Sequence, residues 1–430
     1  MKTGSDTFKK INDTINSIEF MKRNRYDDKD FTRKRKLPFV SLIFFMINLI
    51  KQTLQKELTN FISLISSNKE NITKSAFSQS RKKLKAEAFI ELNDSLIESF
   101  YEDNDYKKWK GFRLLAIDGT CLTLPQSDEI IKDFGFAKNN VNPESIIPMA
   151  TISSYYDLLN GIIIDSQIDQ YKISEFMLAL GHLDKSGKKD LIILDRGYAA
   201  TWFFIYMNLK NVDYVVRLQR NFLQEFNSFW DSKNMSDIIT IDRCSEKSKK
   251  ALEILGIKFE PFKIRLVKVI LDNGEVEVLA TSLLDEVKYP YTEFKELYFS
   301  RWGIETNYNH LKNNVAIENF TGLSTLSVTQ DFFANMFIVN LQSIIINDVQ
   351  TEIDEEKKGT KHKYKINRNL SLGFMKDRVI KILLGNSPKG YEELKELFKL
   401  EPVPIRNGRK FERKFKLTKR KYSITKKKSV

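Results

Sequence analysis

Three acids lie far apart in the 430-residue chain at positions where they can do chemistry together: Asp118, Asp195 and Glu305. Asp118 closes the apolar run Phe112 to Ile117 and precedes Gly119. Asp195 closes the run Asp190 to Leu194 and precedes Arg196-Gly197. Ligands of open sheets with helices packed on them gather beyond the strand ends, so two carboxylates delivered there can meet at one site. Each aspartate taken alone also reads as an ordinary turn residue. Glu305 falls in a helical stretch after Pro290. At about 100° per residue, Tyr298, Arg301, Glu305 and Lys312 share an arc of about 60°, beside an apolar seam of Leu297, Ile304, Tyr308 and Leu311. The plainer reading of that spacing is an Arg301–Glu305 ion pair at i,i+4.

Two aspartates and a glutamate are hard oxygen ligands that suit Mg²⁺ or Mn²⁺ and leave room for phosphate oxygens. Two such ions, about 3.5–4 Å apart, activate an attacking oxygen and stabilise a leaving one at phosphorus. Without metal the three carboxylates repel one another. Arg301 and Lys312 then suit DNA phosphates, Arg through paired bonds and Lys as a point charge. Trp302 either stacks an unpaired base or packs in the core. Other chemistries find little support. The three histidines, His182, His310 and His362, have no paired metal spacing. The chain contains neither a P-loop nor a G-x-S-x-G elbow. Cys121 and Cys244 fit neither a disulfide framework nor a metal site, which favours a reducing cytoplasm.

These residues need a scaffold. Residues 1–108 read as a helical N-terminal DNA-binding domain, in which Thr73 caps a helix running through Ala76, Phe77, Arg81, Leu84 and Phe89. Its basic face makes Arg81 and Lys82 candidate DNA contacts of the helix-turn-helix kind. From Gly111 the pattern turns to strands: Phe112–Ile117, then Ile146–Tyr156 and Gly161–Ile168 joined at Asn160-Gly161, a tight-hairpin signal. Helix 173–183, strand 190–194, helix 199–209 and strand 212–218 follow. Strand, hairpin, helix, strand, helix, strand implies an α/β fold, a mixed RNase H-like sheet flanked by helices, assigned to residues 109–220 and 292–350. Residues 221–291 read as a β-rich insertion with a hairpin turned at Asn273-Gly274. Residues 351–430 read as a linker, a short helical segment and a basic tail.

The charge is concentrated in that tail. The whole chain carries +14, yet Arg406 to Val430 holds twelve basic residues and one acid, leaving about +3 for the other 405 residues. Such a block implies a polyanion partner or a solvated end; the interleaved Phe411, Phe415 and Tyr422 favour docking beside phosphates. The apolar stretch Leu37–Ile50 is about 14 residues, shorter than a membrane span of about 20, and reads as a buried helix. Its N-terminal residues have no apolar core of a signal peptide.

At this point the chain resembles the DDE transposases of bacterial insertion sequences. The closest likeness is to the branch marked by Y-x2-R-x3-E-x6-K, here Tyr298, Arg301, Glu305 and Lys312. Ile117-Asp118-Gly119-Thr120, Leu124-Pro125 and Phe134-Gly135-Phe136 resemble the family's opening acidic block. Leu194-Asp195-Arg196-Gly197-Tyr198 matches its D-R-G-Y form, and the β insertion and the segment Ser75–Leu84 also fit. The resemblance implies an RNase H-like core, with Asp118, Asp195 and Glu305 as catalytic metal ligands holding two ions of Mg²⁺ or Mn²⁺ between them. It implies cleavage at transposon ends, strand transfer into target DNA, and contacts of Tyr298, Arg301 and Lys312 with terminal phosphates; Trp302 and Arg196 are further candidate DNA contacts beside that set. A homodimer or higher oligomer on double-stranded DNA in the bacterial cytoplasm, with no membrane role, completes the expectation. An RNase H-like nuclease without strand transfer and an inactive DNA-binding regulator are the alternatives.

Overall fold

The computed structural model describes residues 4–33, 35–66, 72–138, 145–385 and 387–406; the basic tail lies outside them except for Arg406. Its centre is a nine-stranded sheet. The strands are β1 (Arg113–Thr123), β2 (Phe136–Lys138), β3 (Ile146–Asp157), β4 (Ile163–Gln170), β5 (Asp190–Leu194), β6 (Asp213–Arg217), β7 (Ser236–Ile241), β8 (Phe262–Ile270) and β9 (Val276–Thr281). Across the sheet they run β4-β3-β1-β5-β6-β9-β8-β7, with the short β2 sharing the outer edge of β3 with β4. β1, β3 and β4 are antiparallel neighbours, while β5 and β6 run parallel to β1. Three antiparallel strands followed by two parallel ones on the far side of the first is the RNase H-like order expected from the sequence.

Local chemistry explains these elements. β5 is buried at every position, as a parallel strand covered on both faces must be. Its Ile192 and Leu194 face the larger core, and Leu191 and Ile193 face the smaller one. The β3–β4 hairpin turns where Gly161 adopts φ +70°, a left-handed conformation that glycine tolerates without steric cost. On the larger face lies the Thr325–Glu356 helix, packed against the Glu87–Glu102 helix, the Phe39–Ile47 helix and β4. It is long and apolar enough to cross a membrane, but most of its apolar stretch is buried in this core. Its Asn340 amide donates to the Ile163 carbonyl at 2.8 Å and its side-chain oxygen accepts the Ile163 N–H at 2.7 Å. A helix side chain thereby satisfies strand backbone that would otherwise be orphaned inside the core.

Several expectations need correction. The 221–291 segment is no separate β unit: β9 pairs antiparallel with β6, from Val215 opposite Thr281 to Arg217 opposite Leu279, so the insertion prolongs the central sheet. It also carries helices Gln224–Asp231 and Glu246–Ile254. The residues before 108 form helices among those described, but the helix capped by Thr73 ends at Arg81. Leu84 instead bridges to Arg25, with Tyr26 N–H donating to the Lys83 carbonyl at 3.1 Å and Lys85 N–H to the Asn24 carbonyl at 2.9 Å. Residues 351–369 do not form a linker. The long helix continues to Glu356, and Lys363–Lys365 pairs antiparallel with Val403–Ile405. Few apolar residues lie there, but Ile353 and Ile366 are both buried.

The stretch after Pro290 is helical but not one helix. A Phe294–Phe299 helix is followed by a Trp302–Asn309 helix and a wider turn at His310–Asn314. The Ser300 hydroxyl donates to the Leu297 carbonyl at 2.6 Å, a local bond of the kind that competes with the helix ladder. In the wider turn Val315 N–H reaches back five residues to the His310 carbonyl at 3.0 Å. The expected apolar seam nevertheless holds: Leu297, Ile304, Tyr308 and Leu311 are all buried.

Candidate active site

β1 and β5 pair in parallel from Arg113 opposite Asp190 to Ala116 opposite Ile193. Continuing that register by two residues sets Asp118 across from Asp195, one strand spacing of about 5 Å away. β5 stops at Leu194, as expected, but β1 does not stop at Asp118; it continues along β3 to Thr123. The two aspartates therefore stand at a fork where one strand ends and its neighbour carries on. Asp118 Oδ1 accepts the Gly119 N–H at 2.9 Å, and Asp195 Oδ1 accepts the Gly197 N–H at 2.8 Å. The turn reading of Asp195 and its place in the acid cluster are both true.

The Asp118 backbone is pinned from two sides. Tyr308 Oη donates to its carbonyl at 2.5 Å, and Ser153 Oγ does so at 3.2 Å. Behind Ser153 lies a buried chain: His182 Nε2 is 2.9 Å from Ser153 Oγ, and His182 Nδ1 is 2.7 Å from the accepting Asp165 carboxylate. Sequence reading missed this network because its members come from β3, β4 and the Glu175–Leu183 helix, with no shared motif.

Burial, with the nearby Asp195 and Glu175 charges, pushes the Asp118 carboxyl up to about 6, against the opposing Gly119 N–H and Arg301. Partial burial and Asp195 raise Glu175 as well. Desolvation and like charges both disfavour ionised carboxylates. Glu175 is thus a member of the cluster that sequence reading missed; nothing around it in the sequence marks it.

Glu305 lies on the Trp302–Asn309 helix, which packs against β1. Arg301 Nη2 donates to Glu305 Oε1 at 2.7 Å, so the ion pair proposed as the plain reading of the spacing exists. The same guanidinium acts on Asp118 and joins the Glu305 side of the site to the aspartate side. Among the described residues no three Asp, Glu, His or Cys side chains stand close enough to enclose an ion; Arg301 supplies the local positive charge. The donor set is carboxylate oxygen without thiol or imidazole, which fits a hard divalent cation.

The remaining candidates divide. Tyr298 is 8% exposed, with its hydroxyl unpartnered among the described residues. Arg301 lies 6.0 Å from the Tyr298 ring and 5.7 Å from that of Trp302. Trp302 is 43% exposed, so it is no core tryptophan. Lys312 Nζ donates to Thr120 Oγ1 at 2.7 Å and the Cys121 carbonyl at 2.9 Å, tying it to β1 beyond Asp118; burial lowers its pKa. Arg196 and Lys82 are exposed. Arg81 must be corrected as a DNA contact: it is 4% exposed and donates to Gln330, Thr321, Ser327 and Asp331 at 2.7–3.1 Å.

The fold defines a class, the RNase H-like mixed sheets, here with Asp118 and Asp195 on neighbouring central strands. Comparison with known proteins narrows it. The family described as "Transposase DDE domain" matches residues 109–341, more than half of the chain, and this chain belongs to that family. Transposase InsG for insertion sequence element IS4, from Escherichia coli strain K12, is 24% identical over 412 residues, covering 92% of this chain and 89% of the relative. A cryo-EM structure of a piggyBac transposase synaptic complex with hairpin DNA aligns over 94% of this chain and 86% of its own, with a TM-score of 0.45 and 12% identity.

Proposed function

We propose that this protein is a cut-and-paste DNA transposase that frees an insertion sequence by metal-dependent cleavage at its ends and joins those ends to target DNA. The observation that carries this reading is the fork of β1 and β5, which sets Asp118 beside Asp195, with Glu305 one arginine away on a helix tethered to the Asp118 carbonyl through Tyr308. Asp118, Asp195 and Glu305 would hold Mg²⁺ or Mn²⁺. Bound there, two ions would activate the attacking oxygen and neutralise the leaving one.

The chain's own groups do the rest. Tyr298, Arg301 and Lys312 contact terminal phosphates, the Arg301 guanidinium lying 6.0 Å from the Tyr298 ring. A phosphate competes with Glu305 for the Arg301 guanidinium, because both offer oxygens that suit paired N–H donors; its arrival frees Glu305 to turn towards the aspartates. Trp302, exposed beside Arg301, stacks an unpaired base, and Arg196 contacts the backbone near Asp195. The working form is a homodimer or larger assembly on paired DNA ends, in the bacterial cytoplasm.

Replacement of Asp118, Asp195 or Glu305 by Ala is expected to abolish Mn²⁺-dependent cleavage of end-containing DNA while gel-shift binding persists. Retained cleavage in any of the three overturns the assignment. Joining of a cut end to a target plasmid separates transposition from simple nuclease activity; absence of cleavage by the unaltered protein would favour a regulator.

A further inference from the structure

Glu175 opens the Glu175–Leu183 helix, which packs against β1 and β3. A Cβ built on Gly119, the residue after Asp118, would lie 3.5 Å from Glu175 Oε1, so the carboxylate sits over the backbone of the first catalytic candidate. It makes no hydrogen bond or ion pair among the described residues, and Asp195 is the charge that acts on it. An unpaired acid held beside two others costs stability, and such arrangements concentrate at functional sites. An independent feature points the same way. Tyr198 is 1% exposed and its hydroxyl has no partner among the described residues. Its ring meets Phe176 edge-on at 5.7 Å, and its charged neighbours are Glu175, Asp118 and Asp195. A buried phenol with a hydroxyl that has no partner among the described residues, in the field of these three carboxylates, provides a donor for oxygen ligands gathered there.

We propose that Glu175 is a fourth carboxylate of the metal centre, completing a divalent-cation site with Asp118 and Asp195 while Glu305 is held by Arg301. This rests on the metal-dependent reading above. A change of rotamer at Glu175, which no partner among the described residues restrains, would bring the three acids onto one cation. The DNA-free protein then already binds an ion, and Glu305 adds its oxygens after phosphate takes Arg301.

Calorimetric titration of Mn²⁺ into the full-length, DNA-free protein tests this. Glu175→Gln is expected to weaken Mn²⁺ binding at least about tenfold, with Glu175→Asp recovering part of the loss. The metal-free Glu175→Gln protein is expected to melt higher than the unaltered one, because a repulsion is relieved. Unchanged Mn²⁺ binding in Glu175→Gln, with binding lost in Asp118→Asn, overturns the role of Glu175 and leaves the metal-dependent reading standing. Mn²⁺ binding indifferent to both substitutions overturns that reading itself. A lower melting temperature in both Glu175 variants without metal makes the residue structural and also overturns the proposal.

Discussion

Arg81 and Arg301 each follow or end a short helix, each lie almost out of solvent, and each pair with an acid, Asp331 at 2.9 Å and Glu305 at 2.7 Å. Their remaining donors distinguish them. Arg81 spends all three guanidinium nitrogens on Gln330, Thr321, Ser327 and Asp331, stitching an N-terminal helix to the long core helix. Arg301 spends one nitrogen on Glu305, its Nε has no partner among the described residues, and two aromatic rings and Asp118 surround it. A buried arginine with saturated donors builds the fold. One with donors to spare, set among acids, is available to a ligand.

The largest effect expected from this contrast is on stability. Arg81→Met should cost about 3–5 kcal/mol, because Asp331 is left buried without its counter-charge; chemical denaturation measures it, and a loss as large from Arg301→Met would erase the distinction. Next, Arg301→Met should lower cleavage about a hundredfold, the usual cost of a donor aimed at developing charge, while the folded fraction of Arg81→Met cuts DNA normally in a single-turnover assay.

A pH series sharpens the comparison. The Asp118 carboxyl is pushed up to about 6, chiefly by burial, so its neutral form favours the folded protein. That contribution is complete below the ordinary carboxylate pKa near 4 and is lost as the pH rises through about 6. The metal-free protein should lose stability across that window, and Asp118→Asn should abolish the loss. Mn²⁺ must displace the same proton, so its affinity should fall about tenfold per pH unit below 6. Arg301 opposes the rise, so Arg301→Met should move that midpoint upward in calorimetric titrations, and Arg81→Met should leave it in place. The smallest effect belongs to exposed Lys82: Lys82→Ala should change stability by no more than about 0.5 kcal/mol and reduce the salt slope of DNA binding by about one.

Much of this was legible in advance. A short acid closing a greasy run is informative because strand cores exclude charge, and so Asp118 and Asp195 stood out as candidates; the spacing from Tyr298 to Lys312 added Glu305 and its neighbours as candidates. The strand order followed from the hairpin at Gly161 and the runs at β5 and β6. What stayed hidden depends on distant partners. Arg81 is settled by residues about 240–250 positions away, and Glu175 by the packing of its helix over Gly119. β1 runs on past Asp118 because β3 offers it a pairing edge, although Asp-Gly alone reads as a turn. The break at Ser300 coincides with one local hydroxyl bond, too small a signal to outweigh the periodicity around it.

The junction of β6 with β9 has a mechanical meaning. Backbone amides knit β9 to β6, the strand next to the one that delivers Asp195, so that β9 lies two strand spacings, or about 10 Å, from β5. A load borne on β7–β9 is therefore passed sideways, through interstrand hydrogen bonds between stiff peptide planes, to the strand that ends beside Asp195.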